Sequence, residues 1–86
     1  MAHRAQAAIP DLLREAALEG EVLLELVIDT LGHAEPPTVR VIETPHALFA
    51  AAARATILRA VYRPGRLAGH PVRTLVRQAV RFELRR

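Results

Sequence analysis

Two stretches of the chain alternate almost strictly between apolar and polar positions. From Glu21 to Asp29, Val22, Leu24, Leu26 and Ile28 fall on one side, and Glu21, Leu23, Glu25, Val27 and Asp29 on the other. That period of two predicts a half-buried β-strand. From Val72 to Arg85, one side carries Val72, Thr74, Val76, Gln78, Val80, Phe82 and Leu84, and the other Arg73, Leu75, Arg77, Ala79, Arg81, Glu83 and Arg85. A long strand with an apolar face and an arginine face follows. After a turn at Asp29-Thr30-Leu31-Gly32 and the Pro36-Pro37 pair, Thr38–Glu43 reads as a further strand, second in chain order, forming a hairpin with the first.

Two other segments have helical spacing. Leu12, Leu13, Ala16 and Ala17 follow Pro10, and Gly20 is placed to stop them, which predicts a short helix over residues 10–18. Thr44-Pro45 is a helix-start signal, and Leu48, Ala51, Ala52, Ala55, Leu58 and Tyr62 recur on one stripe, predicting a helix from Pro45 to Val61 that stops before Pro64. Pro64-Gly65 and Gly69-His70-Pro71 punctuate a loop.

The order is therefore α-β-β-α-β, an α+β class with two helices packed on one face of a three-stranded antiparallel sheet. Antiparallel pairing of the last strand with the first gives the spatial order second, first, last, and leaves the last strand as an edge. Residues 1–8 are expected to be a flexible N-terminal segment and residues 9–86 the domain. A chain of 86 residues has room for one core.

Charge sharpens this picture. The net +3 conceals a division: residues 1–43 carry −5 and residues 44–86 carry +8, with every cationic side chain an Arg. On the predicted sheet, Glu21, Glu25 and Asp29 lie beside the row Arg73, Arg77, Arg81 and Arg85, so that much of the opposed charge meets across strands. The edge beyond that row exposes unpaired backbone groups, the geometry of a template for strand addition.

Absent residue types exclude most chemistry. With no Cys, Ser or Lys there is no disulfide, thiolate nucleophile, sulfur-bound zinc, serine triad, Schiff base or P-loop. His3, His33, His46 and His70 are too dispersed for a metal site. The carboxylates Glu21, Glu25 and Asp29 fall on an exposed strand face with arginines expected beside them, a charge-paired setting that does not suit acid–base catalysis. A non-enzymatic domain without cofactor or metal is expected. Neither a signal peptide nor an apolar run long enough to cross a membrane is present in this chain.

Several short runs, in order, resemble the C-terminal domain of TonB-family energy transducers. They are Ala17-Leu18-Glu19-Gly20-Glu21-Val22, Val27-Ile28-Asp29, Val39-Arg40-Val41-Ile42, Tyr62-Arg63-Pro64, and Gly69-His70-Pro71-Val72-Arg73 with Val80-Arg81-Phe82-Glu83-Leu84. The similarity spans about residues 9–85. It implies a periplasmic interaction domain, anchored to the inner membrane in full-length relatives, that takes part in energy-dependent transport. Its implied partner is an outer-membrane transporter, whose short extended TonB box is gripped by strand addition beside the last strand. Carried onto this chain, the pairing edge would be Val76, Arg77, Gln78, Ala79, Val80, Arg81, Phe82, Glu83 and Leu84. Tyr62 and Phe82 would take the aromatic positions that pack helix on sheet.

Two alternatives stand beside this reading. Arg54, Arg59, Arg63 and Arg66 extend the basic character of the last strand and suit a nucleic-acid-binding module, although only Phe49, Tyr62 and Phe82 are available for base stacking. A long amphipathic edge also suits a strand-exchanged homodimer without a transport role.

Overall fold

The computed structural model describes residues 9, 11, 14 and 18–84 with their side chains and residues 2–7 through their backbone. Among them are six strands, one 3-10 helix and one α-helix: β1 (Ala2–Ala7), β2 (Gly20–Ile28), the 3-10 helix Pro36–Thr38, β3 (Arg40–Glu43), α1 (Ala47–Arg59), β4 (Gly65–Leu67), β5 (His70–Val72) and β6 (Thr74–Phe82). Most of the expected first helix, residues 10–18, lies outside the described residues.

The α+β class and the central antiparallel arrangement are as expected. β2 pairs with β6 from Gly20↔Phe82 to Ile28↔Thr74, and β3 pairs with β2 on its other side, with a bulge between Leu23 and Leu24. The main sheet nevertheless has four strands, in the order β1-β6-β2-β3. The fourth is the segment expected to be flexible: Ala2–Ala7 runs parallel to β6. An open edge on β6 leaves a row of amides and carbonyls unpaired, and the N-terminal backbone supplies their partners.

The even-numbered side of β2 supplies the core. Val22, Leu24, Leu26 and Ile28 are buried and join Val80 and Phe82 of β6, Ile9, Ala34, Val39 and one face of α1. That face is Phe49, Ala53 and Ile57, and not the stripe through Leu48, Ala55 and Leu58. Alanines surround α1 on all sides, so sequence spacing fixed the face only weakly. The rings decide it: Phe49 and Phe82 pack with centroids 4.9 Å apart and planes tilted by 39°. Helix α1 also starts later than Thr44-Pro45 suggests. His46 is its N-cap, its Nδ1 accepting from the Leu48 N–H at 3.0 Å.

The long last strand is divided at Arg73. Residues expected as loop form a hairpin of β4 and β5, closed by Ala68 (φ 50°) and Gly69 (φ 81°), the two positive angles of a type I′ turn. Thr74 clasps its base: Oγ1 accepts from the Gly65 N–H at 2.9 Å and donates to the Val72 carbonyl at 3.0 Å. Past this point the chain changes partner, from β4 to β2.

Candidate functional site

The nine positions expected to form a pairing edge occupy one run of chain. Val76 to Phe82 lie in β6, whereas Glu83 and Leu84 lie just past its end, where the Leu84 N–H donates to Glu19 Oε1 at 2.8 Å. One side of β6 is fully used by β2. The other side faces β1, in the register Ala2↔Arg77, His3↔Gln78, Arg4↔Ala79, Ala5↔Val80, Gln6↔Arg81 and Ala7↔Phe82. Sequence reasoning puts the last strand at the edge of the sheet; the structure corrects this, because β1 pairs along its outward side and leaves β6 interior, between β1 and β2. A segment rich in Ala, with one His, one Arg and one Gln, has no strand signal of its own.

The two faces of β6 differ in chemistry. Toward α1 stand Gln78, Val80 and Phe82, all buried. Gln78, only 3% exposed, donates from Nε2 to the Ala79 carbonyl at 3.3 Å, so its amide is held inside the apolar layer. On the opposite face, which no described helix covers, Leu75 is 63% exposed and Arg77 and Arg81 are spaced four residues apart.

The expected charge pairing across β2 and β6 is present in part. Glu25, opposite Arg77, receives Arg77 Nε at 3.4 Å and Arg40 Nη2 at 2.9 Å, so one carboxylate bridges both neighbouring strands. Glu21 is in register with Arg81, whose Nε bonds Glu83. Asp29 and Arg73 depart from the expected row. Asp29 Oδ1 accepts from the Leu31 and His33 N–H groups, each at 2.9 Å, closing the turn after β2. Those bonds, His33's above all, hold its carboxyl below the ordinary range. Arg73 pairs with Glu35 instead.

Other arginines of the basic half also have structural partners. Arg54 donates from Nη1 to the Val39 carbonyl at 3.0 Å and from Nη2 to the Pro36 carbonyl at 3.1 Å, satisfying the end of the 3-10 helix. Arg66 Nη1 donates to the Gly69 carbonyl at 2.9 Å across the hairpin turn. Tyr62 packs against the core without stacking on Phe82, and burial raises its phenol pKa.

Among the described residues, no three His, Asp or Glu side chains are grouped as a metal site, and no helix is long and apolar enough to cross a membrane. No curated protein matches the chain. The family model described as Gram-negative bacterial TonB protein C-terminal matches residues 5–84, nearly the whole length.

Proposed function

Because the chain belongs to the family of Gram-negative bacterial TonB C-terminal domains, which act in the periplasm in transport and interact with outer-membrane transporters, we propose that the outward side of β6 is its recognition edge. On this reading the domain is a binding module and not an enzyme, needs no cofactor, and takes an extended peptide segment of a transporter as an added strand. It would do so within a longer, inner-membrane-anchored protein, as the family resemblance implies.

The observation that carries the reading is the parallel pairing of six residues along β6. Backbone placed on this side finds a complete hydrogen-bonding partner, so strand addition here requires no rearrangement of the core. Side chains of an added strand alternate between the α1 side and the arginine side. Arg77 and Arg81 each bond a carboxylate of this chain through Nε, and a guanidinium has five N–H donors, so a ligand with carboxylates four residues apart would share them, with apolar, β-branched residues at the alternate positions.

A peptide built to that pattern, Ac-Glu-Val-Thr-Val-Glu-Val-NH2, tests the reading by amide NMR titration. Shifts concentrated on Arg77–Phe82, with binding weakened about fivefold when both Glu are replaced by Lys, are the expected result. Shifts centred on the hairpin or on α1, or equal binding of both peptides, would contradict it.

A further inference from the structure

We propose that Ala2–Ala7 is a built-in occupant of the recognition edge, which any ligand strand must displace; the inference rests on the assignment of β6 as that edge. The register covers Arg77 to Phe82, six of the nine candidate positions. Neighbouring strands lie about 4.8 Å apart, so two cannot share one side of β6. Occupation by β1 and by a ligand are mutually exclusive.

The segment is suited to being held and released. It contains no β-branched residue and no Phe, Tyr or Trp, and it pairs in parallel, the slightly weaker of the two ladders. At the register positions of Arg77 and Arg81, where a ligand of the proposed kind carries its acids, β1 has Ala2 and Gln6, neither of them charged. Weak pairing still closes the edge because the segment is tethered to the domain and acts at an effective concentration in the millimolar range or above. A β-branched, acidic strand outcompetes it, and a weak or mismatched one does not, so that self-occupation raises the threshold for binding and covers the sheet edge between encounters.

With the edge open only a fraction of the time, the apparent affinity falls by that fraction. The chain has no Cys, so Arg4→Cys with Ala79→Cys creates a single possible disulfide between register partners. In the full chain, the hexapeptide Ac-Glu-Val-Thr-Val-Glu-Val-NH2, followed by fluorescence anisotropy, is expected to bind the oxidised form about tenfold or more weakly than the reduced form. A second variant, Arg4→Pro with Ala5→Pro, loosens the segment: successive amides of a strand point to opposite sides, so one of the two lost donors faces β6. It is expected to bind the peptide about tenfold more tightly than the native chain. Equal affinity of the oxidised and reduced forms, or no gain in the proline variant, would overturn self-occupation while leaving β6 as the edge. Absence of binding in every form, the proline variant included, would remove the assignment of the edge and this inference with it.

Discussion

Glu35 and Arg73 meet through two hydrogen bonds of 2.7 Å, Nε to Oε2 and Nη2 to Oε1, a fork-to-fork pair that ties the connection after β2 to the point where β5 gives way to β6. Glu35 is fixed from its own side as well. Its N–H donates to the Val27 carbonyl at 2.9 Å, and its carbonyl accepts from Thr38 Oγ1 at 2.7 Å. The pair therefore sets where the last strand turns into the main sheet, upstream of the recognition edge.

The same pair predicts an acid dependence. The hydrogen bond from Arg73 holds the Glu35 carboxyl below its ordinary value, as the His33 amide does for Asp29. A carboxyl lowered in the folded state contributes stability that is present above its unfolded pKa and is lost as pH falls through the folded value. The melting temperature is expected to be level above about pH 5 and to fall progressively below about pH 4.5. Glu35→Gln should make that fall shallower, measured by circular dichroism melts across pH; an unchanged slope would show that the pair does not contribute.

Within the buried face of α1, formed by Phe49, Ala53 and Ile57, the ring pair of Phe49 and Phe82 is the largest contact with the sheet by side-chain size. Phe82→Ala removes a fully buried side chain from between β6 and Phe49, and is expected to cost about 3–5 kcal/mol in urea unfolding. Leu58→Ala, on the more exposed side of α1, should cost well under half of that. Equal losses would place the buried face of the helix elsewhere.

Two turns give changes of opposite sign. At Gly32, with φ of 90°, an added Cβ would collide with the Tyr62 carbonyl oxygen, beside the hydrogen bond that the Tyr62 N–H donates to the Gly32 carbonyl at 2.7 Å. Gly32→Ala is expected to destabilise by roughly 2 kcal/mol or more. Ala68 occupies a left-handed position that suits Asn, so Ala68→Asn should stabilise by about 0.5–1 kcal/mol. Thermal melts of the two variants check both signs.

Charge reversal at the sheet surface should have a small, salt-sensitive effect. Arg77→Glu sets a carboxylate beside Glu25, leaving Arg40 to serve both. The expected loss is up to about 1 kcal/mol at low salt, reduced in 0.5 M NaCl to a few tenths. A loss that ignores salt would mean that the change acts through packing and not through charge.

What was legible in the chain follows from how strongly each residue commits. Val22, Leu24, Leu26 and Ile28 alternate with charged and less buried partners, so β2, its buried face and its pairing with β6 could be read directly, down to Glu25 beside Arg77. Helix α1 could be located but not rotated, because its alanines make most faces equally acceptable and only the Phe49 contact with Phe82 selects one. The hairpin of β4 and β5 was hidden because Gly65, Gly69 and Pro71 read as loop punctuation, while a two-residue turn with positive φ converts the same residues into paired strands. The strand β6 was legible as a candidate edge from the preference for antiparallel pairing of the last strand with the first. Its occupant was not, since Ala-His-Arg-Ala-Gln-Ala carries no pattern and is ordered into a strand only by the unpaired backbone beside it.

The alignment of β1 along β6 has a mechanical meaning. A strand lying parallel along β6 shares its axis with the ladder that holds it, so tension drawn along that strand is divided among all the inter-strand bonds together and does not unpick them singly from one end. Contact with the edge can thus be thermodynamically weak and yet bear load in that direction, while a sideways pull opens it bond by bond.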